Sequence, residues 1–97
     1  NNLKIAQENA KNLKCEDVCE FIHGNACDHA PKLHDVNLWC LDPPYYQGLI
    51  DSMMNILPHG EDVIVMAEME VAARPLFNTD KIFFDRVYAS SRIVMLH

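Results

Sequence analysis

Apolar residues recur along the chain with spacings that predict alternating helices and strands. Over residues 2–13 and 46–57 they recur every three or four positions, which predicts two helices with one apolar face each. The second helix should end at residues 58–60, where Pro-His-Gly follows the last apolar position. Residues 25–35 are polar, include Pro31, and suit a connection with at most one helical turn.

Short runs rich in branched and aromatic residues predict strands at 18–22, 36–41, 63–67, 81–88 and 91–97. The second of these runs is apolar at almost every position, which is typical of a central parallel strand covered on both faces. Only two residues separate the last two runs, and this short connection predicts an antiparallel pair at the edge of the sheet.

The alternation predicts an α/β fold, with a Rossmann-like open sheet that is mainly parallel and has an antiparallel C-terminal edge strand. Ligands of such sheets bind outside the carboxyl ends of the strands. Two of these ends carry unusual residues: Gly24-Asn25-Ala26 after the first strand and Asp42-Pro43-Pro44-Tyr45 after the second. Because neighbouring parallel strands end at the same edge, we expect both segments to lie within reach of one pair of ligands.

The segment Asp42-Pro43-Pro44-Tyr45 combines residues with a definite chemical use. Proline has a fixed φ and no N–H, so the carbonyl groups here project from a stiff backbone that cannot continue a sheet. Asp42 adds a charged acceptor, and Tyr45 adds a flat ring on which a base can stack. This combination suits a planar heterocycle with an exocyclic NH2 group. The alternative is a proline turn after a strand, with Tyr45 packed into the core.

Composition and charge limit the remaining choices. With 97 residues, 49% of them apolar, the chain makes one domain. It shows neither a run long enough to span a bilayer nor a signal peptide, so we expect a cytoplasmic protein without membrane contact. The net charge is −6 and the eight lysines and arginines are scattered. Any contact with a nucleic acid must therefore be local, or use basic residues outside this chain.

Cysteines and histidines at intervals of four raise the question of a zinc site. They are Cys15, Cys19, His23 and Cys27, with His29 close by. Zinc sites usually bring paired ligands together around tight turns, whereas the predicted strand would spread these residues along one face. We therefore expect no metal, and reduced thiols in place of disulfides.

Several segments together resemble the RsmD-type bacterial methyltransferases. They are Glu8-Asn9-Ala10, residues 18–26, residues 41–45 with Gly48-Leu49, residues 65–70 and residues 86–88. Members of that family use S-adenosylmethionine to methylate the exocyclic amine of a guanine in small-subunit ribosomal RNA. The Asp-Pro-Pro-Tyr motif alone is shared with DNA adenine methyltransferases. The strand followed by Gly-Asn-Ala, and the Gly-Leu helix after the motif, favour the RsmD type.

The resemblance implies the sheet of a methyltransferase and a role for residues of the two segments that follow the predicted strands. The catalytic residues would be Asp42, Pro43, Pro44 and Tyr45, and the residues in contact with S-adenosylmethionine would be Asn25, Ala26 and Asp42. The implied partner is ribosomal RNA or a small-subunit assembly particle.

The chain also departs from the pattern of that family. The resemblance covers about the second half of the family's domain, so residues 1–97 would be the C-terminal portion of a single methyltransferase domain. The glycine-rich cofactor loop is absent, and the acid that holds the cofactor ribose would precede Asn1. Asn25 replaces the usual aspartate, and Ala89 replaces the usual glycine. We therefore expect this chain alone to be inactive, and its exposed sheet edge to favour self-association.

Two other functions remain open from the sequence. One is an amino methylase that acts on adenine in DNA. The other is a non-catalytic α/β binding or assembly unit that derives from a methyltransferase.

Overall fold

The computed structural model describes residues 2–43, 48–57 and 62–97. The helices are α1 (Asn2–Asn12), α2 (Ala26–His29) and α3 (Leu49–Ile56), with 3₁₀ turns at Glu16–Val18 and Ala30–Lys32. The strands are β1 (Leu38–Leu41), β2 (Ile64–Glu70), β3 (Ile82–Tyr88) and β4 (Ser91–Leu96). The predicted helix at 2–13, the short turn within 25–35 and the last three predicted strands are therefore confirmed.

The helix α3 begins later than the apolar spacing predicts. Gly48 precedes it in the left-handed conformation, with φ 61° and ψ 22°, and the helix begins at Leu49. Glycine adopts this conformation without the steric cost that a Cβ atom would add. Residues 44–47 and the predicted stop at 58–60 lie outside the described residues.

The predicted strand at 18–22 is wrong. Glu16–Val18 forms a 3₁₀ turn, in which the Val18 N–H bonds the Cys15 carbonyl at 3.1 Å. Val18 is 80% exposed, and residues 19–22 belong to no strand of the described sheet. The run has the composition of a strand, but without a neighbouring strand its backbone groups have no ladder to join.

The four strands form one open sheet in the order β1-β2-β4-β3. β1 and β2 are parallel, and β4 pairs antiparallel with both β2 and β3. The predicted class, a Rossmann-like open α/β sheet, is confirmed. The C-terminal strand β4 nevertheless lies inside the sheet, and β3 is the edge strand. Because the run at 18–22 stays out of the sheet, β1 and β2 make the one parallel pair among the described strands, and these strands are not mainly parallel as predicted.

β1 is an edge strand and not the central strand that its composition predicts. Leu38 and Cys40 are exposed, whereas Trp39 and Leu41 face the core. The expectation of cover on both faces is therefore wrong, because the segment that should have paired with β1 does not form a strand. In the described part of the chain, one side of β1 presents unpaired backbone groups.

The core lies between α3 and one face of the sheet. Every second residue of β2, namely Val65, Ala67 and Met69, is buried there. Met53 and Met54 of α3 pack against the same face, so the methionine pair fills the core. Burial of each large apolar side chain stabilises the fold by about 1.5–3 kcal/mol. This packing holds the carboxyl ends of β1 and β2 beside the start of α3.

Candidate active site

Asp42 follows β1 directly and lies beside Glu68 of the neighbouring strand. The parallel register pairs Leu41 with Ala67, so the next residues along the two strands are Asp42 and Glu68. A hydrogen bond between two carboxyl groups requires that one of them keeps its proton, so Glu68 favours the protonated form of Asp42. This hydrogen bond raises the pKa of Asp42, with further contributions from the charge of Glu68 and from desolvation.

Pro43 is half-buried beside Asp42 and ends the strand. Pro44 and Tyr45, the other two residues of the predicted catalytic corner, lie outside the described residues. Their roles stay predictions. Of the predicted catalytic set, the structure thus describes Asp42 and Pro43, at the carboxyl edge where the fold class places ligands.

Asn25 has a structural role that the sequence analysis does not assign to it. Its side-chain oxygen accepts a hydrogen bond from the Cys27 backbone N–H at 2.9 Å and so caps the start of α2. Gly24 prepares this turn with φ 144°, and a Cβ atom there would lie 2.4 Å from Nε2 of His29. An amide oxygen has two lone pairs, so Asn25 can still accept a second hydrogen bond.

The segment Gly24-Asn25-Ala26 does not follow a strand, contrary to its prediction, because residues 18–22 form none. It leads into α2, which packs beside α3: Cys27 Sγ lies 3.5 Å from Met53 Sδ. Among the described residues, no hydrogen bond or ion pair joins Asn25 to Asp42. The predicted contacts of Asn25 and Ala26 with a cofactor stay predictions.

A groove that the sequence analysis does not foresee opens between α3, the end of β2 and the loop that follows β2. It is open to solvent, and its lining residues are Leu49, Ile50, Asp51, Met69, Glu70, Ala73, Arg74 and Pro75. These residues come from three separate segments, so no local pattern announces the groove. The acidic end of β2, Glu68 and Glu70, is the one signal that the sequence carries.

The loop after β2 is held by hydrogen bonds at three points. The Ala73 N–H bonds the Glu70 carbonyl at 3.1 Å, and the Leu76 N–H bonds Asp51 Oδ1 of α3 at 2.8 Å. From β4, Arg92 Nη1 donates to the Ala73 carbonyl at 3.2 Å. The groove wall is therefore attached to both the helix and the sheet.

Arg92 is itself held by a carboxylate on the neighbouring strand. Its Nε and Nη2 atoms donate to the two carboxylate oxygens of Asp85, at 2.8 and 2.7 Å. This bidentate pair lowers the pKa of Asp85, since the guanidinium favours the charged carboxylate.

The described residues contain no group of three or more histidine, cysteine or acidic side chains placed to hold a metal ion. Within the same residues, no helix has the length and apolar character needed to cross a membrane.

Solved structures share this arrangement of strands and helices. A conserved hypothetical protein from Streptococcus pyogenes aligns over 95% of this chain with a TM-score of 0.73 and 22% identity. A putative methylase from Haemophilus influenzae aligns over 96% of this chain with a TM-score of 0.70 and 16% identity. The putative methyltransferase yhhF from Escherichia coli aligns over 93% with a TM-score of 0.67 and 16% identity. The chain therefore has the fold of the matching part of these structures.

The chain spans 62%, 63% and 52% of the lengths of these three structures, in the same order. No family model matches the chain, and no curated protein does. At these identities the likeness concerns the fold, and the chemistry has to be argued from the residues at the carboxyl edge of the sheet.

Proposed function

We propose that the protein transfers a methyl group from S-adenosylmethionine to the exocyclic amine of a guanine in small-subunit ribosomal RNA. The observation that carries this proposal is Asp42-Pro43 at the carboxyl end of β1, beside Glu68, in a methyltransferase-like fold. This edge is where open α/β sheets bind their ligands. The resemblance of the sequence to RsmD-type enzymes supports the choice of guanine and of ribosomal RNA.

The chemistry rests on how Asp42 and Pro43 hold the amine. The nitrogen of a base amine is a poor nucleophile, because its lone pair is delocalised into the ring. A carboxylate oxygen of Asp42 accepts one N–H and the Pro43 carbonyl accepts the other, which favours a pyramidal nitrogen with an available lone pair. Asp42 also stabilises the positive charge that develops on the nitrogen, and takes the proton that leaves it.

The cofactor site would draw on Asn25, Ala26 and Asp42. When bound, S-adenosylmethionine supplies an electrophilic methyl group on a sulfonium centre. The residues present fit the adenine end of this molecule in one respect: Asn25 is exposed and keeps a lone pair for an adenine N–H beyond its bond to Cys27. Tyr45 would stack on the target base, which nucleic-acid methyltransferases draw out of its helix or loop.

The substitution Asp42→Ala tests this assignment in the full-length protein. We expect the single-turnover rate of methyl transfer to small-subunit ribosomal RNA to fall on the order of 10²–10³-fold, as for the loss of one preorganised charge-stabilising group. The affinity for S-adenosylmethionine, measured by isothermal titration, should change much less. Transfer of tritiated methyl groups, followed by nuclease digestion and mass spectrometry of the nucleosides, identifies the product.

Asp62→Ala is the matched control. Asp62 is an exposed carboxylate just before the amino end of β2, whereas Asp42 lies at the carboxyl ends of the parallel strands. It should leave the rate near that of the unmodified protein. A near-normal rate in Asp42→Ala would contradict the proposed mechanism. Methylation of adenine in DNA, with no methylated guanine in ribosomal RNA, would contradict the proposed substrate.

A further inference from the structure

The groove beside α3 combines an apolar floor with charged residues at its rim. Leu49, Ile50 and Pro75 are half-buried along it and Met69 is buried beneath it. Glu70 and Arg74 are both exposed at the rim. Such a surface suits a flat ligand that has an apolar face and polar groups at its edges.

The groove opens at the same edge of the sheet as Asp42. Glu70 lies two residues beyond Glu68, the hydrogen-bond partner of Asp42. Leu49 is the first residue of α3, the helix that follows the Asp42-Pro43 corner along the chain. A ligand in the groove therefore lies at the carboxyl end of β2, the strand that carries Glu68 beside Asp42.

The loop that carries Arg74 is built to hold its position. Its hydrogen bonds reach α3 through Asp51 and β4 through Arg92, as described above. Asp51 accepts a hydrogen bond from the Leu76 N–H, and Glu70 is an exposed carboxylate at the rim. The rim thus carries one cation, Arg74, on a loop whose backbone is held, and one carboxylate, Glu70.

We propose that this groove binds the target nucleotide itself, and that Glu70 and Arg74 select it. The proposal rests on the proposed function. The base lies on the apolar floor, Arg74 contacts an adjacent phosphate, and Glu70 accepts the N1–H of the base. Guanine has a hydrogen-bond donor at N1 where adenine has an acceptor, so a carboxylate at this position favours guanine.

The base 2,6-diaminopurine tests the contact between Glu70 and N1–H. It keeps the 2-amino group of guanine, which accepts the methyl group, but has a hydrogen-bond acceptor at N1. The probe is a short RNA containing the guanine identified in the experiment above, made with either base at that position. The unmodified full-length protein should prefer guanine by roughly tenfold or more in kcat/KM, as expected for one lost base contact. Glu70→Gln should reduce this preference severalfold, since an amide can donate to N1 of 2,6-diaminopurine.

Arg74→Ala tests the phosphate contact. Affinity for the guanine RNA should fall. The plot of log K against log salt concentration has a negative slope, and the magnitude of this slope should decrease by about one. Arg86→Ala is the matched control, because Arg86 is an exposed arginine on β3, outside the groove, over the Phe84 ring at 5.6 Å. It should change neither the slope nor the preference. Thermal unfolding of each variant verifies that it is folded.

The outcomes distinguish the two proposals. If no guanine amine is methylated, the proposed function fails and this inference fails with it. If guanine is methylated, but Glu70→Gln keeps the full preference over 2,6-diaminopurine, the assignment of Glu70 is overturned while the function stands. If Arg74→Ala behaves as Arg86→Ala does, the phosphate contact is overturned in the same way.

Discussion

Asp42 and Glu68 show how a neighbouring strand changes the chemistry of a single residue. The pKa of Asp42 is raised from its ordinary value of 3.8, first by the hydrogen bond with Glu68 and then by the charge of Glu68. A carboxyl group whose pKa is higher in the folded state contributes stability below its unfolded pKa. That contribution is lost as the pH rises through the folded pKa. Above that range the two carboxylates repel each other, and Asp42 is ready to accept N–H donors.

Replacing Glu68 should therefore change the pH dependence of Asp42. In Glu68→Gln the negative charge is gone, so the pKa of Asp42 should move down towards its ordinary value. The acidic limb of the methyl-transfer rate should move to lower pH by the same amount, because Asp42 must be ionised to act. An NMR titration of the Asp42 carboxyl carbon measures the first effect directly.

Glu8→Gln provides the control for this prediction, since Glu8 is an exposed carboxylate on α1, outside the candidate site. It removes the same charge and should leave the pKa of Asp42 unchanged. An unchanged Asp42 titration in Glu68→Gln would show that the two side chains do not share a proton.

At the scale of elements, the hairpin between β3 and β4 places an alanine in a backbone conformation that is unfavourable for residues with a Cβ atom. Tyr88 pairs with Ser91, so two residues make the turn, and the first of them, Ala89, has φ 55°. A non-glycine residue in this left-handed region costs about 1–2 kcal/mol. Two-residue hairpin turns with a positive φ at the first position prefer glycine there.

Ala89→Gly should accordingly stabilise the protein by up to about 1 kcal/mol, the relief of strain less the entropy that glycine loses on folding. Urea unfolding, followed by circular dichroism, measures the free energy of unfolding. Ala72→Gly is the matched control, because Ala72 is an exposed residue in the turn after β2 whose φ is not positive. If the two variants were equally stable, the strain at Ala89 would be negligible.

The pair Asp85 and Arg92 ties three elements together at the same scale. It joins β3 to β4, and Arg92 extends to the loop that forms the groove wall. Because the folded pKa of Asp85 is lowered, its contribution to stability is present above the unfolded pKa and is lost as the pH falls through the folded pKa. Acid should therefore loosen the wall of the groove while it relieves the repulsion between Asp42 and Glu68.

At the scale of the whole molecule, the two edges of the sheet differ in how they resist association. β3 has a register shift between Ile82 and Phe84, and it carries Asp85 and Arg86. Bulges and charges of this kind blunt a sheet edge. β1, with the sequence Leu-Trp-Cys-Leu, has neither, and Leu38 is 55% exposed on it. We therefore expect self-association through β1.

Leu38→Lys should weaken self-association of the 97-residue chain, since a lysine on an edge strand opposes pairing with another chain. Sedimentation velocity under reducing conditions, over a range of concentrations, measures the effect. Val87→Lys places the same charge on β3, at a residue of equal exposure, 55%, and should leave association unchanged. A monomeric unmodified chain, or equal effects of the two variants, would contradict the assignment to β1.

The sequence by itself determined the elements whose signals are local. Apolar spacing was sufficient for α1 and for most of α3, and for β2, β3 and β4, because helix and strand periodicities follow from backbone geometry. It also marked Asp42-Pro43 as the end of a strand, since proline cannot continue a sheet. The α/β class followed from the order of these elements.

Only the tertiary structure decided which strands have neighbours and which side chains meet. Residues 18–22 have the composition of a strand but form none, and β1 is an edge strand, because pairing depends on segments far away in the sequence. The contact between Asp42 and Glu68 follows from the parallel register of β1 and β2, which no local pattern specifies. The groove requires three separate segments to come together, and that depends on the packing of α3 against the sheet and on the hydrogen bond from Arg92 of β4 to the loop after β2.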